Sequence, residues 1–212
     1  MYTIKEIYYT LQGEGRHVGR PAVFLRFSGC NLWNGREEDR GKATCQFCDT
    51  DFVGTDGPKG NKFKDSTSLS EAVEQVWIDG VGTDDNRFVV CTGGEPLLQL
   101  DSKAIEALHH KDFTVAVETN GTVPPPDGID WTCVSPKAGS DLFVTKGDEL
   151  KLIFPQAGID PTQFENLRFD HFSLQPMDGP HLAANTAKAI AYSLNNPKWT
   201  LSLQTHKILG ID

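Results

Sequence analysis

Two residues separate Cys45 from Cys48, and fourteen separate Cys30 from Cys45, with Cys30 just after the run Val23-Phe24-Leu25-Arg26-Phe27. A structural zinc site is closed by four protein ligands, whereas three cysteines with no histidine near them in sequence leave one coordination position open. Soft thiolates also suit iron-sulfur clusters, and a four-iron cube held by three cysteines keeps one iron free to bind a ligand from solution. The spacing alone leaves two other readings: a zinc knuckle completed by Asp49 or by a histidine brought in by folding, and three ordinary buried cysteines sharing a loop.

The strand that must carry Cys30, about Ala22 to Ser28, is apolar on both faces except for Arg26, as in a sheet covered on both sides. By alternation Arg26 shares a face with Phe24 and Ser28, opposite Val23, Leu25 and Phe27. An inward arginine needs an anion, either a structural carboxylate or a substrate carboxylate held in bidentate geometry. The mixed-charge run Arg36 to Arg40 inside the cysteine loop reads as a solvated face.

A chain of 212 residues fits one domain, and a net charge of -9 without a lysine- or arginine-rich run argues against nucleic acid as the partner. The first twenty residues hold no apolar stretch of signal-peptide or membrane-span length, so the expected compartment is the cytoplasm, with no membrane partner. Thiols stay reduced there, so five cysteines argue for metal binding or plain burial rather than a disulfide framework.

Ile4 to Thr10 reads as a strand ending in the turn Gln12-Gly13-Glu14-Gly15. Ser68-Leu69-Ser70-Glu71 reads as a capping box, opening a helix with Leu69, Ala72, Val73, Val76 and Trp77 inward that stops near Gly80. Strands follow at Phe88 to Cys91, Thr114 to Glu118, Thr132 to Ser135, Leu150 to Phe154, Phe172 to Gln175 and Leu201 to Gln204. Helices are expected over Asp101 to His110 and Asn185 to Asn195, the latter with Ala187, Ile190, Ala191 and Leu194 inward. Cys91 and Cys133 read as core residues, and His109 and His110 as helix-end residues placed by the dipole. Parallel strands of this kind carry their ligand site at their C-terminal ends, where polar residues collect here.

Leu11-Gln12-Gly13-Glu14-Gly15, Arg26, the three cysteines with Asp49-Thr50, Thr92-Gly93-Gly94-Glu95-Pro96, Glu118-Thr119-Asn120-Gly121, Ser135-Pro136-Lys137, Gln175-Pro176-Met177-Asp178 and Thr205-His206-Lys207 occur in this order. On these motifs, over nearly its whole length, the chain resembles the radical S-adenosylmethionine superfamily, and within it the deazapurine-forming synthases of queuosine biosynthesis. The superfamily usually spaces its cysteines three and then two apart. The longer gap here is similar to an expanded loop, about residues 30 to 50, found in some of those synthases.

The resemblance implies an α/β fold: a reduced, partial (βα) barrel of mostly parallel strands with about three long helices, one domain over residues 1 to 212, assembled as a homodimer. It implies a 4Fe-4S cluster on Cys30, Cys45 and Cys48, whose open iron holds the amino and carboxylate groups of S-adenosylmethionine. An electron donor such as flavodoxin or ferredoxin would start the cleavage to a 5'-deoxyadenosyl radical. That radical would take the C6 hydrogen of 6-carboxy-5,6,7,8-tetrahydropterin, and ring contraction would release ammonia, a carbon-nitrogen lyase reaction that regenerates S-adenosylmethionine. The cofactor would rest on Gly93, Gly94, Glu95, Ser135, Pro136, Lys137, Gln175, Pro176, Met177 and Asp178. The pterin would lie against Leu11, Gln12, Gly13, Glu14, Arg26, Thr92, Asn120 and His206. Its carboxylate would be balanced by Arg26 and by a magnesium ion on Thr50, and its amino-pyrimidine edge would meet the main-chain carboxylate of Asp212. Another member of the superfamily, such as an activase that installs a glycyl radical on a partner protein, is the alternative.

Overall fold

The β-branched and aromatic stretches form nine strands in the computed structural model, which describes residues 1–81, 83 and 85–211. They are β1 (Tyr2–Leu11), β2 (Pro21–Phe27), β3 (Asn61–Phe63), β4 (Phe88–Gly93), β5 (Thr114–Thr119), β6 (Trp131–Val134), β7 (Lys146–Phe154), β8 (Arg168–Pro176) and β9 (Trp199–Leu201). One sheet joins them in the order β3-β1-β2-β4-β5-β6-β7-β8-β9. β1 runs antiparallel to β2 and β3, and every other pairing is parallel. With β3 and β9 as edges the sheet is a partial barrel, not a closed one, as the sequence leads one to expect.

Helices α1 (Ser66–Val81) and α2 (Ser102–His109) cover the outer face of the first half, and α3 (Leu182–Asn195) covers part of the second. Leu69, Val73, Val76 and Trp77 of α1 and Ala104, Ile105 and Leu108 of α2 share a buried core with Val23, Leu25, Phe27, Val89 and Val115. Each of the larger aliphatic side chains contributes about 1.5–3 kcal/mol on leaving water. The opposite face changes character along the strands. Ala22, Phe24, Phe88, Val90 and Ala116 form an apolar layer, and Arg26, Thr92 and Glu118, two residues further along β2, β4 and β5, line an open cavity.

At the N-terminal strand ends the segment Gly15–His17 plugs the interior. The His17 ring lies 4.3 Å from Trp131 and 5.0 Å from Phe88, and the Arg16 amide donates to Glu149 at 3.0 Å. A register shift between Ile4 and Glu6 in β1 lets Ile4 and Ile7 both reach the outer core while Glu6 turns inward to Arg26.

Four expectations change. The box expected at Ser68 lies inside α1, whose true cap is Asp65, accepting from the Ser68 amide at 2.9 Å. The short strand β3 is an addition, just after a glycine-rich stretch, and its single apolar residue gives no strand signal. The last strand ends at Leu201, and Thr205 to Leu209 form a short helix, α4, so His206 and Lys207 are carried by a helix and not a strand tip. In α3 the buried residues are Asn185 and Ala189, with Tyr192 packed on the core, whereas Ile190 and Leu194 are exposed. The phase of α3 is set by the Asn185 amide, which donates to the Met177 carbonyl at 2.9 Å. Accordingly, Ala189→Leu should overpack this seam and cost about 1–3 kcal/mol in urea denaturation, whereas Ala187→Ser should change stability by less than about 0.5 kcal/mol.

Candidate active site

At the C-terminal strand ends lies a cavity of about 400 Å³. Cys30, Cys45, Cys48 and Thr50 line it, as do Leu11, Gln12, Gly13, Glu14, Arg26, Thr92, Asn120 and His206. So do Gly93, Gly94, Ser135, Lys137, Gln175, Pro176, Met177 and Asp178. Pro136 and Glu95 do not. Glu95 is fully buried and accepts hydrogen bonds from the Leu97 and Asn120 amides and the Thr119 hydroxyl, so its carboxylate clasps the β4 turn to β5 instead of facing a ligand. Asp212 lies outside the described residues.

The cysteine loop is held by its own side chains. Trp33 packs edge-on against Phe52, and the Arg40 guanidinium lies 4.0 Å over the Trp33 ring. Arg40 also donates to the carbonyls of Gln46 at 3.0 Å and Cys48 at 2.9 Å and pairs with Glu37. The charged run is therefore not merely solvated, because Arg40 ties the two ends of the insert together. The Cys45 thiol hydrogen-bonds Cys48 and so holds the Cys48 pKa below its ordinary value. Gly93 and Gly94 pack on the backbone that leads into this loop: a Cβ at either would meet the Phe27 or Gly29 carbonyl oxygen at 2.2 Å.

Among the described residues no three histidine, cysteine, aspartate or glutamate side chains gather tightly enough to hold a single metal ion. A four-iron cube takes each thiolate on a different iron and needs no such set. Three thiols facing one cavity, beside the Lys137 side chain, fit that group.

Lys151 and Glu118 form the charged floor. The Lys151 ammonium, 5% exposed, lies 2.6 Å from Glu14 and 3.2 Å from Glu118. Burial alone would lower its pKa, but Glu118 and Glu14 reverse this and hold it well above its ordinary value. Burial would likewise raise Glu14, yet Lys151 holds it below the ordinary carboxylate range. Gln12 donates to Glu118 at 3.1 Å and Gln204 to Glu14 at 3.0 Å. Cys133, buried and in register with Glu118 and Glu149, also reaches the cavity, whereas Cys91 stays in the outer core. Arg26 donates to Glu6 at 2.7 Å and to the Tyr8 hydroxyl at 2.9 Å, so a structural carboxylate partner exists while the residue still lines the cavity.

Sequence reasoning gives no role to Lys151 or Glu118, although Lys151 in Leu150-Lys151-Leu152 carries the same signal as Arg26, a charge alternating with buried apolar residues. Lys151→Met leaves two carboxylates without their cation and should cost about 3–5 kcal/mol in chemical denaturation; a loss below about 1 kcal/mol would mean that the pair is solvated.

No family profile matches the chain. Curated relatives do. A 7-carboxy-7-deazaguanine synthase of Caulobacter vibrioides is 60% identical over 210 residues, and one of Bradyrhizobium diazoefficiens is 59% identical over 210 residues, each alignment covering 99% of both chains. Among solved structures, the crystal structure of QueE from Escherichia coli superposes with a TM-score of 0.64 at 26% identity, covering 95% of this chain and 93% of that one. The full-length likeness, with the cysteine-lined cavity at the strand ends, places the chain in the 7-carboxy-7-deazaguanine synthase family.

Proposed function

We propose that the protein converts 6-carboxy-5,6,7,8-tetrahydropterin to 7-carboxy-7-deazaguanine and ammonia. The observation that carries this is the convergence on one cavity of the three cysteines, Arg26, Thr50 and the paired floor residues Lys151 and Glu14.

Cys30, Cys45 and Cys48 would hold the 4Fe-4S cluster, and Gly93, Gly94, Ser135, Lys137 and the Gln175 to Asp178 tip would hold S-adenosylmethionine. When bound, these groups supply one-electron cleavage of a sulfonium and so the oxidising power to break an unactivated C–H bond. The protein's share is placement and exclusion of water. Arg26 would face the pterin carboxylate, and Glu14 and Asn120 would meet the ring's polar edge. Thr50 would offer its hydroxyl to magnesium, a cation that keeps several waters and takes few protein ligands. Product plus ammonia equals substrate in composition, and a C–N bond breaks without hydrolysis, which makes the enzyme a lyase.

The same reading includes a cytoplasmic location, a flavodoxin- or ferredoxin-type electron donor and a homodimer. For the last, the exposed Leu182, Ile190 and Leu194 of α3 offer apolar surface.

Anaerobic reconstitution followed by turnover of the carboxytetrahydropterin tests the proposal, and full cluster loading without deazapurine formation would overturn it. Cys30→Ala, Cys45→Ala and Cys48→Ala should each abolish cluster assembly and turnover while the chain stays folded, as read by iron and sulfide analysis. Thr50→Val should lower turnover and remove its response to added magnesium.

A further inference from the structure

Lys207 belongs to none of the ligand sets above, yet it joins three elements. Its ammonium lies 2.5 Å from Asp49, beside the cysteine Cys48, and 2.5 Å from Asp178, at the tip of β8. The two carboxylate oxygens are thus within about 5 Å of each other, a separation at which like charges repel unless a cation lies between them. Interaction with Lys207 holds Asp178 below its ordinary range.

The helix that carries Lys207 is bolted equally firmly to the other side of the cavity. The Thr205 amide and hydroxyl both donate to the Gly13 carbonyl at 2.9 Å. The His206 ring packs where a side chain on Gly13 would otherwise sit. Gln204 reaches Glu14 at 3.0 Å and Asp49 at 3.3 Å. The first turn of α4, with Gln204 before it, therefore holds the Gln12 to Glu14 turn on one side and the cysteine loop and β8 tip on the other.

We infer that Lys207 is a positioning residue that couples the two ligand sites, so that S-adenosylmethionine at the Asp178 side tightens binding of the pterin at the Gly13 side, and the reverse. This rests on the proposed function. A ligand that fixes Asp178 fixes Lys207, and with it α4 and the Gly13 turn, so the cost of ordering this segment is incurred once for both ligands. Linkage makes the effect reciprocal.

The test is anaerobic calorimetry on cluster-loaded protein without reductant, which measures S-adenosylmethionine affinity with and without the carboxytetrahydropterin. In the wild type the pterin should tighten S-adenosylmethionine by at least about fivefold, the lower end of common coupling factors. Lys207→Arg should retain most of that ratio, and Lys207→Met should bring it close to one at unchanged iron and sulfide content. A wild-type ratio of one, or an equal ratio in Lys207→Met, would overturn the coupling while leaving the function standing. Loss of iron in Lys207→Met would also overturn it, by making Lys207 a determinant of loop folding. Failure of the pterin to bind the wild type at all would overturn both readings.

Discussion

A buried ammonium cannot be left without counter-charge, and the interior of this barrel is arranged around that requirement at Lys151. Its partners come from the turn after β1 and from the end of β5, so one cation on β7 fixes three parts of the chain that are remote in sequence. Glu149, one step earlier on the same face, repeats the arrangement with neutral donors, taking the Ser173 hydroxyl at 2.6 Å and the Arg16 amide at 3.0 Å. The plug at the N-terminal strand ends and the polar floor of the cavity are thus two parts of one network. Removing water from such a network strengthens each of its interactions and raises the cost of leaving any member unpaired.

The cysteine loop solves a different problem. Lengthening a loop adds little closure entropy, since each doubling costs about 0.6 kcal/mol, so fourteen residues between Cys30 and Cys45 are thermodynamically cheap. What the insert needs is a fixed path, and Trp33, Phe52 and Arg40 supply it through one aromatic contact, one cation over a ring and two hydrogen bonds to carbonyls. The glycines at 93 and 94 let β4 approach the backbone that enters the loop, since a Cβ at either would run into the Phe27 or Gly29 carbonyl.

Much of this is legible in the sequence wherever the signal is local. Apart from β3, the strands before β9 and the first two helices follow from alternation and helical spacing, and the inward face of Arg26 follows from its neighbours Leu25 and Phe27. The phase of α3 is not legible, because an alanine-rich helix offers two stripes of similar character and only the distant Met177 carbonyl selects between them. Glu95 sits in a motif shared with residues that line the cavity, and nothing in its neighbours announces that its carboxylate turns away toward Asn120. Lys151 and Lys207 have partners remote in sequence, so their meaning depends on which strands become neighbours.

The register shift in β1 separates two kinds of tolerance to insertion and deletion. In the cysteine loop even exposed Gly41 is held, its carbonyl accepting from the Gln46 side chain at 3.2 Å, so a residue gained or lost there has to be absorbed without moving Arg40 from its carbonyl partners. In β1 the extra residue sets which way every later side chain of that strand points. A one-residue deletion after Glu6 would turn Tyr8 outward and Tyr9 inward and cost Arg26 its hydroxyl partner, whereas loss of Lys5, the extra residue itself, would keep the phase. Length variation in the first strand is therefore open at the bulge and closed beyond it.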